Sequence, residues 1–238
     1  MNDLQAHRRL LLAALAGSAL TPLLWPLRAR AGALDAIRRT DATAALRAAL
    51  DKGSVAAVEK LGVVGGFLNN PKVKIPLPPA IAKIERALRF AGLQDQADQL
   101  VQSMNTAAEQ AVPMAKPLLA NAVKSMTVSD AKKILAGGDT SVTDYFKSKT
   151  AQPLTTKFLP AVKTQTDKVN LARQYNGLIG KVTELGLAKD ADPNIESYVT
   201  RKALDGLYTM IGDEERAIRA NPVEYGSAVI SKVFGALK

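Results

Sequence analysis

Apolar residues in this 238-residue chain recur at steps of three and four, and no stretch alternates at a period of two. Ala97, Leu100, Val101, Met104, Ala108 and Ala111 make one such stripe, and Leu171, Tyr175, Leu178, Val182 and Leu185 another. With about 3.6 residues per turn, only a helix brings positions so spaced onto one buried face. The side chains that fill these stripes are mainly Ala, Leu, Val and Ile, with aromatics at 5% of a chain that is 47% hydrophobic. Small unbranched and aliphatic residues favour close-packed helices over sheets. The expectation is an all-α fold, a single compact multi-helix domain of about eight to ten helices.

Punctuation divides the helices. Residues 33–62 read as two short helical stretches, closed by Gly53 and Gly62, with Leu46, Ala49 and Leu50 inward on the first and Val55, Val58 and Leu61 on the second. Residues 63–79, with Gly65, Gly66 and four prolines, read as an ordered loop, either a rigid connector or a partner-binding arm with Lys72 and Lys74 exposed. Ile81, Ile84, Leu88 and Ala91 continue at helical spacing up to Gly92. Pro113 and Pro117 break the path before Leu118, Ala122, Val123 and Met126. Thr127 is placed as an N-cap with Asp130 third in the helix and Gly137 as its stop. A helix from Asp139 buries Val142, Tyr145 and Phe146, and Pro153 and Pro160 separate it from the stripe at 171–185, where Gly177 and Gly180 allow close neighbours. Asp192 and Pro193 start the next helix, whose inner face holds Ile195, Tyr198, Val199, Leu204, Leu207, Tyr208 and Ile211. Glu215 and Arg219 lie four apart in its last turns. Asn221, Pro222 and Glu224 open a final helix with Val229, Ile230, Val233 and Phe234.

Residues 1–31 have the form of a cleavable export signal: Arg8 and Arg9, an apolar run from Leu10 to Leu27, and small residues at Ala29 and Ala31. The alternative is an N-terminal membrane anchor facing the periplasm, which Gly17, Ser18, Pro22 and Pro26 weaken. The arginine pair resembles a twin-arginine signal, although His7 stands where Ser or Thr is usual. Cleavage after Ala31 leaves a domain at 32–238 that is expected in the periplasm. It also removes His7 and Trp25, the only histidine and the only tryptophan, from a chain with no cysteine. A mature protein without imidazole or thiol cannot use Ser-His-Asp or Cys-His catalysis, disulfides, or His- or Cys-ligated metal. No metal or redox cofactor is expected.

Several fragments resemble the DUF4197 family of exported bacterial proteins. They are Lys74-Ile75-Pro76-Leu77-Pro78, Met104-Asn105 with Ala107-Ala108-Glu109, and Asp130-Ala131 with Ile134-Leu135-Ala136-Gly137. Tyr145-Phe146, Tyr198-Val199-Thr200 with Lys202 to Leu207, Glu214-Glu215 with Ile218-Arg219, Asn221-Pro222 and Val233-Phe234-Gly235 continue it. Ser141-Val142-Thr143 departs mildly from the family pattern. The resemblance implies an exported, mostly helical protein of undefined activity and carries over no catalytic residue.

The polar residues that stand out are Asn105, Glu109, Asp130, Asp139, Tyr145, Lys202, Asp205 and Arg219, each a candidate for a functional or a structural role. Asn105 and Glu109 share a helix face with Met104 and Ala108, where a buried carboxylate needs a partner; a Lys or Arg from another helix is the expected one. Ser129 and Lys132 have an S-x-x-K spacing, but the remaining elements of that active site are missing and a capped helix explains them. Asp213, Glu214 and Glu215 are consecutive, so they splay around a helix and are expected as a solvated, salt-bridged end. The segment 137–141 lacks the lysine and preceding strand of a phosphate loop. A net charge of +10 spread over dispersed lysines reads first as a solvated face; the alternative is a surface for an anionic envelope lipid or polymer, or another envelope protein, and not for nucleic acid. Two functions remain: a non-catalytic binding or structural envelope protein with a groove for a lipid, peptide or protein, or a metal-independent hydrolase or transferase using carboxylate, Lys and Tyr.

Overall fold

A computed structural model of the chain describes residues 25–184 and 194–221. The chain divides into two units, 1–41 and 42–238. Of the first, the described residues 25–41 are helical. The second carries the buried apolar core, which runs from Ala45 to Ile218 among the described residues.

Among the described residues there is no strand. The fold is all-α, with seven helices among the described residues in place of the expected eight to ten. They are α1 (Trp25–Leu61), α4 (Gln94–Ala111), α5 (Lys116–Lys124), α6 (Val128–Ala136), α7 (Ser141–Lys168), α8 (Leu171–Glu184) and α9 (Ile195–Ala220). Two shorter pieces, α2 (Pro79–Ala82) and α3 (Glu85–Phe90), and a 3-10 turn at Val112–Ala115 link them. The expected final helix at 222–238, the Asp192–Pro193 start and Leu185 lie outside the described residues.

Two expected breaks are absent. Pro153 and Pro160 sit inside α7, which runs 28 residues through both. Each proline is on the exposed side, as are Lys149 and Thr156, whose carbonyls lose their ladder donors, so water can serve these carbonyls. The opposite face carries Phe146, Leu154, Phe158 and Val162, all buried, and their packing holds the helix through the weakened turns. Gly53 likewise lies within α1, not at its end. A Cβ there would stand 3.2 Å from Ile218 Cδ1 and 3.5 Å from Glu214 Cβ, so the glycine permits close approach of α9. Gly177 and Gly180 do the reverse of what was expected, since a Cβ on either meets nothing within 4 Å.

Other boundaries follow the sequence closely. The α4 stripe is buried at Ala97, Leu100, Met104, Ala108 and Ala111, with Val101 partly so. Thr127 caps α6 as one half of a capping box whose other half is Asp130. Pro113 falls in the 3-10 turn and Pro117 in the first turn of α5. The helix expected from Asp139 begins at Ser141 instead, and the run after Pro79 splits into α2 and α3 before Gly92 turns the chain at φ +67°.

Helices α7 and α9 form the most extensive pairing of the fold, and α4 packs against both. They run antiparallel: Glu215 meets the start of α7 at Val142 N, 3.1 Å, while Tyr208, two turns earlier on α9, meets Thr150, two turns further along α7, at 3.0 Å. Residues 63–78 cross the core as an anchored strap, with Phe67, Val73, Ile75 and Pro78 buried.

Candidate functional site

The candidate polar residues do not converge. Asn105 is fully buried on α4 and acts as a peptide mimic for the strap: its Oδ1 accepts from Ile75 N at 2.8 Å, and its Nδ2 donates to Ile75 O at 2.9 Å and Val101 O at 2.8 Å. One turn on, Glu109 Oε1 accepts from Phe67 N and Leu68 N, both at 3.0 Å. The expected Lys or Arg partner is thus replaced by loop amides, which are the donors nearest to hand when an irregular segment is buried. Tyr198 adds a hydroxyl to Pro76 O at 3.1 Å, and Lys72 ties the strap to Asp213 at 2.8 Å. That lysine contact, with Arg216 beside it, holds the Asp213 carboxyl below its ordinary range.

Asp130 is engaged by its own helix start. The Thr127 amide and hydroxyl donate to it at 3.0 and 2.7 Å and hold its acidity below the usual carboxylate value, with Lys149 and Lys133 adding a smaller effect. Tyr145 donates to Ala122 O at 2.7 Å, and burial pushes its phenol up. Asp130 and Tyr145 do border one shallow polar recess of about 470 Å³, shared with Ser141, Asp144 and Lys149. Of its two serines, Ser148 donates to Tyr145 O at 2.7 Å, while Ser141 donates to Ile134 O and Gly138 O at 2.9 Å, lies 3.3 Å from Glu215 Oε1, which Arg219 and the α7 amides already occupy, and accepts from Arg219 at 2.7 Å, so neither faces a free base. Asp139 is exposed in the turn before α7, and Lys202 is half-buried on α9. Ser129 and Lys132 are both exposed at the start of α6.

The acidic run at 213–215 corrects the expectation of a solvated end. Glu214 and Glu215 are buried, at 3% and 2% exposure. Glu214 pairs with Lys60 of α1. Glu215 accepts from Val142 N at 3.1 Å and Thr143 N at 3.2 Å, and so caps α7 from another helix. Arg219, four residues on, completes the clamp at 2.9 Å and reaches Ile134 O at 3.2 Å, the C-terminal end of α6. The expected Glu215–Arg219 pair is present, with a role in joining three helices.

One concave surface is left without such duties. Along α7 the residues Lys147, Ala151, Thr155 and Leu159 are spaced by four and form a wall; on α9, Thr200, Leu204 and Tyr208 form the floor, with Ser197, Arg201 and Asp205 as the other edge. The groove has a volume of about 540 Å³, and twelve residues of helix make it about 18 Å long. Burial pushes the Tyr208 phenol up, and its hydroxyl lies 3.0 Å from that of Thr150. Lys147 stands 5.6 Å over the Tyr208 ring, and Arg201 5.8 Å over that of Tyr198.

Thr200 is the anomaly. It is buried at 3% exposure, and its Oγ1 is one of four buried side-chain polar atoms without a hydrogen-bond partner among the described residues. Helical threonines in this protein ordinarily bond the carbonyl four residues back, as Thr150 does to Phe146 at 2.7 Å and Thr209 to Asp205 at 2.8 Å. Of the groove residues, only Asp205 stood among the polar candidates, while Leu204 and Tyr208 were expected on the inner face of their helix. The signal available was the row Lys147, Ala151, Thr155 and Leu159 at steps of four, interrupted by Pro153 and so not read as one helix.

Among the described residues no group of three or more His, Cys, Asp or Glu could hold a metal ion, and no helix is long and apolar enough to cross a membrane. Fold and site together define an all-helical protein with an interhelical groove. Residues 36–235 match the family described as Protein of unknown function (DUF4197), and the chain belongs to that family. No curated protein and no solved structure matches it.

Proposed function

We propose that this is a non-catalytic envelope protein that binds a partner in the α7/α9 groove after export to the periplasm and removal of residues 1–31. The observation that carries the reading is the groove itself, about 540 Å³ between α7 and α9, with an apolar floor at Leu204 and Tyr208. Support comes also from what the other polar groups do: Asn105, Glu109, Asp130, Tyr145 and Arg219 hold loops and helix ends together. A hydrolase or transferase would need some of these to meet at one place with a free base.

The test is recovery of a bound molecule. Protein purified from its own envelope fraction is examined by native mass spectrometry beside Ala151→Trp, which fills the middle of the groove from a helix surface. The reading expects a defined added mass on the wild type that is missing from A151W of equal thermal stability. Identical spectra from the two proteins, or no added mass in repeated wild-type preparations, would count against it. N-terminal sequencing should begin at Gly32, and a soluble functional form that still carries Met1 contradicts the export step.

A further inference from the structure

Resting on that reading, we infer that the occupant is a single-chain amphiphile with one carboxylate head, a long-chain fatty acid, its head at Arg201 and its chain laid toward Tyr208. The floor beyond Arg201 is apolar, made of Leu204 and Tyr208 with Ala151 on the wall beside them, which suits a methylene chain and offers an extended peptide no backbone partner. The groove is a single channel about 18 Å long by the helical rise. One acyl chain fits such a volume, whereas a two-chain phospholipid needs a wider site.

The polar end specifies the head. Among the described residues Arg201 makes no ion pair and no hydrogen bond, so both edges of its guanidinium fork are open while the Tyr198 ring steadies its face. A planar fork matches a carboxylate with two parallel bonds. Asp205, one turn from Arg201 on the same edge, repels a second negative charge, which disfavours a phosphate dianion. Lys147 lies toward the far end, over Tyr208, beside the chain and not the head.

The experiment titrates the full mature protein with a fluorescent long-chain fatty acid, and then displaces it with unlabelled palmitate, palmitate methyl ester or lysophosphatidate. Expected are saturable binding, displacement by palmitate, and displacement by the ester that is about tenfold or more weaker, in line with loss of a charge-assisted hydrogen-bond pair. Arg201→Gln should weaken the probe by a similar factor and abolish the acid-over-ester preference. Arg173→Gln on α8, outside the groove, should leave it unchanged. Equal displacement by acid and ester, or wild-type affinity in R201Q, overturns the assignment of the head. Stronger displacement by lysophosphatidate than by palmitate overturns the choice of carboxylate. If A151W loses the native ligand mass yet the fatty acid never binds, the groove stands and the fatty-acid identity falls. Probe binding unchanged in A151W places it elsewhere and overturns the inference.

Discussion

At the scale of single residues, the chain's few buried charges decide how its helices end. Glu215 is all but inaccessible and takes three kinds of donor: the α7 amides, the hydroxyls of Ser141 and Thr143, and the Arg219 guanidinium. Removing one partner of a buried pair leaves the other uncompensated, at a cost of about 3–5 kcal/mol. Glu215→Ala is therefore expected to lose about that much in urea denaturation, and Arg219→Ala less, since Glu215 keeps the α7 amides and the two hydroxyls as donors when the guanidinium is gone. An E215A loss within about 1 kcal/mol of zero would show that water serves the α7 amides equally well. The Glu215–Arg219 spacing was legible in the sequence. Its burial was not, because the amides that need the carboxylate belong to residues 73 positions away. Asn105 and Glu109 show the same limit: their helix face announced burial, while their partners depended on where a strap rich in Gly and Pro would lie.

At the scale of elements, the strap at 63–78 is fixed by neighbours with no room to spare. A Cβ on Gly206 of α9 would stand 2.7 Å from Phe67 Cε1 and 3.3 Å from Val73 Cβ. Phe67 is fully buried and cannot swing aside. Overpacking of this kind costs about 1–3 kcal/mol, and the better helix propensity of alanine returns about 1 kcal/mol of it. Gly206→Ala should destabilise the protein by up to about 2 kcal/mol and speed hydrogen exchange at the Phe67 and Leu68 amides, which Glu109 holds. Unchanged exchange there would mean the strap tolerates displacement from α9. Local chemistry made α4, α6 and the break at Pro113 and Pro117 readable in advance, since stripe, capping box and proline each act within a few residues. Gly53, Pro153 and Pro160 misled for the converse reason. Their usual meaning as breakers is local, and tertiary packing on the opposite face outweighed it.

At the scale of the whole molecule, the all-helical class followed from periodicity alone, but the groove did not. A helix row that lines a groove and one that lines a core have the same spacing and similar side chains. What separates them is whether a third element covers the row, and that is a property of the assembled fold. The export proposal has a spectroscopic consequence. Trp25 is the sole tryptophan, so cleavage after Ala31 leaves tyrosine as the only strong near-ultraviolet chromophore. Protein recovered from the periplasm should show tyrosine emission only, while the full-length chain excited at the red edge should show indole emission. Indole fluorescence in the periplasmic form would place the cut before Trp25 or deny it altogether.

The cap that α9 provides for α7 also sets a sequence of events during synthesis. Ribosomes deliver α7 before α9, so for a time the front of the longer helix has no carboxylate to receive its open amides, and its first turn should fray until the later helix arrives. Completion of the clamp then joins α6, α7 and α9 in one step, so the front of α7 gains its full protection only once the last of the three is in place.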